Sequence, residues 1–450
     1  MRIIIIGAGK IGLNLAGYLS MEDNDVTLID TNPDIIAEAL NAHDINGIVG
    51  NGFNFTVQKE AGMSHANVMI ATTYSDEINM ICCLVAKKLG VKRTIARIRD
   101  PEYSRQFIYL LDEMGLDMVV NPELETAREI SRLLRYPAAI GIDTFAKGRV
   151  DLAEMIIPEG SPLAGLQIKD IPKKLATRIL VCAVQHGKEV YIPKGDHTLY
   201  VGDRIHFTAS HDHLFSFFKK VDHHEKLKNI LIIGGGRIGY YLARLCIDAG
   251  MSVKIIEKNR QSASELTEMV PKARVILGDG TDQTLLEEEN FEAADACVAV
   301  TGIDEENIII SLYAKQQKTE KIITKVSKSS LTGMLKSVGL DSIVSPKSLT
   351  ANLILSYVRA MQSGEESNVQ TLYKLVDDRV EAVEFYVSKK SNVTGIPLKD
   401  LQLKKDVLIC TIIRNNSIVF PGGNDMILPG DNVIITTTQE KLSDLDDILN

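Results

Sequence analysis

The residues whose types and spacing can do chemistry open the chain: GAGKIG (Gly7, Ala8, Gly9, Lys10, Ile11, Gly12), followed by Asp30. Their chemistry is recognition of an anion and a diol. Gly7 permits a tight turn out of a strand, Gly9 lets backbone approach a phosphate, and Gly12 lets the next helix pack close to the sheet. The unpaired amides of that helix start, with the positive end of its dipole, then face the anion. In this pattern an acid about twenty residues on ends the second strand and accepts hydrogen bonds from an adenosine ribose. Asp30 stands at that distance. A 2′-phosphate would meet like charge there, so NADP is disfavoured. NAD, ATP, ADP and AMP all present the same diol, and Asp30 does not choose among them.

The elements that must position these groups are legible on both sides. RIIII is a β-branched run too short for a helix and reads as a buried strand. LNLAGYLS has helical spacing, and DVTLID reads as a strand ending in Asp30. TNPDIIAEAL opens with a cap residue and a proline in the first turn. INGIV, NVMIAT, RTIARI and DMVV are further strands, and SDEINMICCLVAKKLG is a helix closing on Gly90. This alternation predicts a parallel sheet with helices on both faces, its ligand beyond the carboxyl ends of the strands. Thr72, Thr73, Asp76 and Asn79 follow the fourth strand and Arg97 ends the fifth, so all can line one pocket. Asp76 and Asn79 taken singly read better as helix caps or surface pairs.

The chain then repeats itself. GGGRIG (Gly234, Gly235, Gly236, Arg237, Ile238, Gly239) matches GAGKIG, and Glu257 keeps the spacing of Asp30. GNG (50–52) matches GDG (278–280), IAT (70–72) matches AVT (299–301), and DEIN (76–79) matches DEEN (304–307). RTIARI matches KIITKV (321–326), and DMVVNP (117–122) matches DSIVSP (341–346). The spacers repeat as well: SPLAGLQIKD with SNVTGIPLKD, and GDHTLYVGD with GNDMILPGD. Each spacer reads as a small unit of short strands, such as RILVCAVQ and VLICTII, with glycine-aspartate turns. The fold class is therefore α/β, with two Rossmann-like doubly wound parallel-sheet domains, each followed by a small α+β domain. The expected bounds are 1–136, 140–222, 226–362 and 368–450.

Other features exclude more than they assign. Fifty basic residues stand against 59 acidic ones, a net charge of −9 that argues against a nucleic-acid binder. Apolar runs are far shorter than the ~20 residues of a membrane span. Arg2 leads directly into a strand and a glycine turn, so no secretory leader is expected and a cytoplasmic location is. The six cysteines are scattered and several sit in apolar runs, which reads as buried thiols. His211, Asp212 and His213, with His223 and His224, have spacing that can hold a metal. No cysteine or paired glutamate joins them, and a solvated helix or linker is the better reading.

The duplicated motifs, the DExN segments, Arg97 with Lys325, and the SPLAGL-type segment together resemble the TrkA family of Trk potassium uptake. They match tandem RCK-type (KTN) nucleotide-binding domains, each with its smaller C-terminal domain, over nearly the whole chain. The resemblance implies a non-enzymatic regulatory subunit on the inner face of the membrane. It implies a homo-oligomeric ring, built from dimers, that gates a membrane-embedded Trk/Ktr-type potassium-translocating partner on binding NAD(H), or ATP, ADP or AMP. It carries the first pocket onto Gly7–Gly12, Asp30, Asn51, Thr72, Thr73, Asn79 and Arg97, and the second onto Gly234–Gly239, Glu257, Asp279, Thr301, Asn307 and Lys325. The family often has an acid where Asn51 stands, which Asp279 retains, so the pockets can differ in ligand. A dehydrogenase with duplicated Rossmann domains is the alternative, but no His, Lys, Tyr or Cys cluster recurs in both small domains to move a proton. A structural adaptor with relic pockets is a third reading, disfavoured by glycines and ribose acids intact in both copies. The helices ELETAREISRLL (with Leu124, Ala127, Ile130, Leu134) and SLTANLILSYVRA (with Leu349, Asn352, Leu353, Tyr357, Ala360) carry apolar stripes that fit core contacts or subunit assembly.

Overall fold

The computed structural model describes residues 1–22, 24–101, 103, 114–145, 149–221, 226–362, 369–376, 379–388, 391–415, 417–438, 442 and 444–450. The first nucleotide domain runs β1 (Arg2–Ile6), α1 (Lys10–Ser20), β2 (Asp25–Asp30), α2 (Pro33–Ala42), β3 (Asn46–Val49), α3 (Phe55–Glu60), β4 (Val68–Ala71), α4 (Asp76–Leu89), β5 (Arg93–Arg97), β6 (Met118–Val120) and α5 (Pro122–Arg135). Its sheet has the order β3-β2-β1-β4-β5-β6, and every pairing is parallel. β1 lies at the centre with helices on both faces, which is why four consecutive isoleucines fit there, each at most 2% exposed. The reversal of strand order between β1 and β4 places the crevice directly beyond Ile6.

The first small domain is an antiparallel sheet, β10-β9-β11-β8-β7, built from β7 (Gly141–Phe145), β8 (Val150–Ile156), β9 (Leu180–His186), β10 (Glu189–Tyr191) and β11 (Arg204–Ser210). A short helix, α6 (Ile171–Leu175), precedes β9, and α7 (His211–Val221) closes the domain. α7 holds the histidine run. His211 Nδ1 lies 3.3 Å from Asp151, and the His213 ring meets Phe420 edge-on. His223 and His224 lie outside the described residues. Among the described residues no three His, Cys, Asp or Glu side chains gather as metal ligands.

The second half repeats the plan: β12 (Asn229–Ile233), α8 (Arg237–Asp248), β13 (Ser252–Glu257), α9 (Arg260–Met269), β14 (Arg274–Leu277), α10 (Gln283–Glu288), β15 (Ala296–Ala299), α11 (Asp304–Gln316), β16 (Lys321–Lys325), α12 (Thr332–Ser337), β17 (Ile343–Val344) and α13 (Pro346–Gln362). Its sheet order is β14-β13-β12-β15-β16-β17. The second small sheet, β18 (Val369–Leu375), β19 (Val380–Tyr386), β20 (Val407–Arg414), β21 (Ser417–Val419) and β22 (Asn432–Thr437), has the order β18-β19-β22-β20-β21, the first small sheet read from its other edge.

The halves are joined by exchanged helices. α5 leaves the first domain and packs on α8, so that Ala127, Ile130 and Leu134 share one core with Leu242 and Cys246. α13 crosses the other way, and Ala351, Ile354, Leu355 and Val358 fill the core under Leu15, Ala16 and Leu19. Each fully buried branched side chain there contributes about 1.5–3 kcal/mol. The apolar stripes that fitted subunit assembly are thus consumed inside one chain. The small sheets also meet, with Phe145, Cys182 and Ala183 against Leu375, Ala382 and Cys410. All six cysteines are buried and free, as their apolar context predicts.

Candidate functional site

Each pocket is built from a glycine turn, a strand-tip acid and a threonine turn. Gly7 and Gly234 adopt φ of +100° and +111°, open to glycine alone at low cost. A Cβ on either would strike the facing threonine turn, 2.8 Å from the amide nitrogen of Thr73 or Thr301. Gly12 and Gly239 are tighter, with a Cβ only 1.9 or 2.2 Å from the carbonyl oxygen of Gly7 or Gly234. Gly9 and Gly236 differ: a Cβ there would meet nothing within 4 Å, so these two border open space. They also cap α1 and α8 without any side-chain hydrogen bond, whereas Asn32, Asn54, Ser75 and Asn121 cap α2 to α5. The first amides of α1 and α8 are therefore left for a group from outside. Lys10 and Arg237 are exposed beside them, while Ile11 and Ile238 turn into the core.

The two acids hold the turns in shape. Asp30 accepts from the Ala8 amide at 2.7 Å and from the Asn32 amide at 2.9 Å. Glu257 does the same with Gly235 and Asn259, both at 2.7 Å. A carboxylate has about four acceptor sites, so each keeps capacity for ribose hydroxyls while fixing its glycine turn.

The threonine turns correct one sequence match. Thr73 N donates to Asn79 Oδ1 at 2.8 Å, and Thr301 N donates to Asn307 Oδ1 at 2.8 Å. Thr301 is thus the counterpart of Thr73, and Val300 that of Thr72, one residue away from the pairing of IAT with AVT. The strand-to-helix connections are equal in length, and the repeated small-residue run invited the slip. Thr72 Oγ1 donates to the Gly7 carbonyl at 3.0 Å, bracing the turn from below. Asn79 and Asn307 are fully buried and tie the turns to the Arg97 and Lys325 carbonyls at 2.8 and 3.0 Å. They shape the pocket wall. Asp76, expected as a helix cap or surface pair, is instead buried and accepts the Arg99 and Asp100 amides, both at 2.8 Å, while Ser75 caps the helix.

The second pocket is a cavity of 310 Å³, walled by Gly234, Gly236, Glu257, Asp279 and Thr301. Sequence reasoning missed further residues of its wall, among them Lys258, Thr281 and Glu306. The signal was available, because they align with Thr31, Phe53 and Ile78 and are more polar at every position. Lys258 pairs with Glu306 at 2.9 Å. Asp279 accepts from the Thr281 amide and hydroxyl at 2.9 and 2.7 Å, which with Lys258 holds its carboxyl below the usual range. Asn51, its counterpart, accepts the Phe53 amide at 3.3 Å. Arg97 and Lys325 stand deeper, where the domains meet. Arg97 reaches Glu123 at 3.4 Å, and Lys325 donates to the Thr301 carbonyl at 2.5 Å. Burial pushes Lys325 down, with Lys10 adding to the fall while Asp304 and Glu123 oppose it.

Comparison with known proteins decides the family. The TrkA-N domain matches residues 3–122 and 230–346, and the TrkA-C domain matches residues 152–221 and 382–450. The chain belongs to the TrkA family. Trk system potassium uptake protein TrkA homolog 1 of Methanosarcina mazei is 34% identical over 99% of both chains. The TrkA homolog of Archaeoglobus fulgidus is 32% identical over the full length of both. TrkA of Haemophilus influenzae is 30% identical over 98% of this chain and 96% of its own. Among solved structures the GsuK RCK domain shares the fold, with a TM-score of 0.65 at 19% identity over 98% of this chain and 92% of that one. The GsuK channel bound to NAD superposes equally well, covering 77% of that chain. TrkA membership places the chain among potassium uptake proteins with tandem RCK-type domains.

Proposed function

We propose that the chain is the regulatory subunit of a Trk-type potassium transport system, binding NAD(H) or ATP and ADP in its two pockets and gating flux through a membrane-embedded translocating subunit. One observation carries the nucleotide part. Both halves keep a glycine turn with uncapped helix amides, open space at the phosphate position and an acid at the ribose position. The potassium part comes from TrkA membership, and the fold likeness to the GsuK channel bound to NAD supports the pairing of the two. Duplicated recognition groups without duplicated proton-moving groups favour sensing over chemistry, and the protein is not an enzyme in this reading.

Nucleotide acts by its difference in affinity for two shapes of the assembly, since equal affinity shifts nothing. Assembly into a ring uses surfaces other than α5 and α13. Ile81 and Leu84 on α4, and Ile309 and Leu312 at the matching positions of α11, are exposed apolar pairs suited to a second copy. No described helix is long and apolar enough to cross a membrane; in this reading, which rests on TrkA membership, the protein acts at the inner membrane face through its partner. The deciding experiment reconstitutes the chain with its translocating subunit in liposomes and follows potassium flux with NADH, NAD, ATP or ADP. Flux that depends on at least one of them supports gating; flux indifferent to all four overturns it.

A further inference from the structure

The two halves differ in charge where their exchanged helices begin. α1 and α13 lie side by side and run the same way. Arg359, in the last turn of α13, places Nε 3.1 and 3.0 Å from the two oxygens of Glu22, just past the end of α1. The start of α13 therefore lies beside the start of α1, where the first glycine turn and Lys10 stand. α5 and α8 are related in the same sense: Asn121, the cap of α5, donates to the Tyr241 hydroxyl in the second turn of α8 at 3.0 Å. The second residue of α5 is Glu123, and the second residue of α13 is Lys347. Equivalent positions thus carry opposite charge, one presented to each half by the other.

The environments of the two differ accordingly. Glu123 is taken up by Arg97 of its own domain at 3.4 Å. Neither Lys347 nor Lys10 lies within ion-pair distance of a carboxylate among the described residues. Burial and then Lys10 lower the proton affinity of Lys347, with Asp304 opposing, and Lys10 acts on Lys325 as well. Lys347 from the second half thus stands near Lys10 beside the first glycine turn, and neither has a paired carboxylate among the described residues. Like charges brought together beside uncapped helix amides make a site for an anion.

We infer that Lys347 is a phosphate-reading residue of the first pocket, contributed by the second half of the chain. The first pocket then prefers a nucleoside triphosphate or diphosphate, with its terminal phosphates held between Lys10 and Lys347. The second pocket faces Glu123 instead and prefers a ligand without terminal phosphates, such as a dinucleotide whose far end is an uncharged donor group. This rests on the nucleotide reading of both pockets and adds which chemistry each one selects.

The test titrates the full chain calorimetrically with ATP and AMP, using a Glu257→Ala background so that the first pocket is read alone. AMP shares the adenosine and lacks the terminal phosphates. Lys347→Gln is expected to weaken ATP about tenfold, and Lys347→Glu further, while AMP affinity stays within about twofold. Retained AMP binding also shows that the variants fold. Exchanging both charges, Glu123→Lys with Lys347→Glu, is expected to move the ATP preference to the second pocket, read in an Asp30→Ala background. ATP and AMP weakened alike, or ATP unchanged in both Lys347 variants, overturns the role of Lys347 and leaves the nucleotide reading standing. A parent chain that binds no adenine nucleotide overturns both.

Discussion

At the strand tips of the first pocket the chain presents Asp30, Thr31, Asn51 and Phe53; at the same places in the second it presents Glu257, Lys258, Asp279 and Thr281. Behind them the turn residues are largely kept, the exception being Thr72, whose hydroxyl braces Gly7 and whose counterpart is Val300. Gly7 and Gly234, Gly12 and Gly239, Thr73 and Thr301, and Asn79 and Asn307 make the same turns and the same hydrogen bonds. The residues that build the turn are tied to backbone a few ångströms away and have little freedom to vary. Those facing outward are restrained only by what binds. The two copies thus separate the requirement for a pocket from the preference of that pocket.

The largest effects should come from the turn itself. Gly12→Ala puts a methyl 1.9 Å from a backbone oxygen, which has no flexible end to move aside. It should destabilise the first nucleotide domain by about 3 kcal/mol, the upper range for forced overpacking, and abolish its ligand binding. Gly239→Ala should do the same to the second domain. Gly9→Ala and Gly236→Ala fill only open space, so urea unfolding should be unchanged while nucleotide affinity falls. Equal destabilisation by Gly9→Ala and Gly12→Ala would erase the distinction between wall and mouth.

Next in size are the strand-tip acids. Asp30→Ala removes the acceptor for the Ala8 and Asn32 amides and the ribose partner together. An unmet amide costs about 1–3 kcal/mol, so a modest loss of stability should accompany a large loss of adenosine affinity at that pocket alone. Glu257→Ala should mirror this in the second half. Unchanged NADH and ATP affinity in the double variant, measured by calorimetry, would remove the pocket assignment for both copies.

The duplication was legible because a glycine that must adopt positive φ, or must touch a carbonyl, leaves its identity at a fixed place in each copy. Asp30 and Glu257 were legible for the same reason, since each holds its glycine turn through a backbone amide. The exchange of α5 and α13 was not. An apolar stripe such as Ala127, Ile130 and Leu134 records that a face is buried, not whether its partner lies in the same domain, the other half or another chain. The slip between Thr72 and Thr301 has a related origin: short small-residue strands such as VMIA and ACVA align almost as well one residue out of step. Glu123 and Lys347 escaped notice because the match of DMVVNP with DSIVSP stops one residue before they differ.

The small domains break the symmetry in a way pH can read. Asp143 on β7 lies opposite Leu152, and Tyr373 on β18 lies opposite Ala382, so the two occupy equivalent positions. Burial and then Glu129 drive the Asp143 carboxyl up to about 8 from an ordinary value of 3.8, with Arg132 opposing and Glu154 adding to the rise. Tyr373 faces it from the other sheet, and Arg204, His206 and Lys336 share the polar cavity of 190 Å³ beside it. The native state then keeps a proton that the unfolded chain has released. Stability from this residue is fully present below about pH 4 and is lost progressively as pH rises toward about 8. Asp143→Asn should flatten that slope and raise the melting temperature most at the alkaline end. A pH–stability profile with the parent slope would place the proton elsewhere in the Glu129, Glu154 and Asp143 group.

The smallest effect sharpens the comparison of the pocket mouths. Lys258 and Glu306 form an ion pair at the rim of the second pocket, where the first carries Thr31 and Ile78. Exposed pairs of this kind hold little folding energy, so Glu306→Ile should leave unfolding unaltered. Its consequence lies in the charge set free. Lys258 released from Glu306 can meet an incoming phosphate, and the second pocket should gain about two- to threefold in ADP affinity at low salt. Because the contact is at the rim, the gain should shrink as ionic strength rises past the point where the Debye length falls to about 8 Å. A gain that survives high salt would mean that Glu306 acts by shape and not by charge. No gain at any salt would mean that the deeper contrast of Glu123 with Lys347, and not the rim, separates the two pockets.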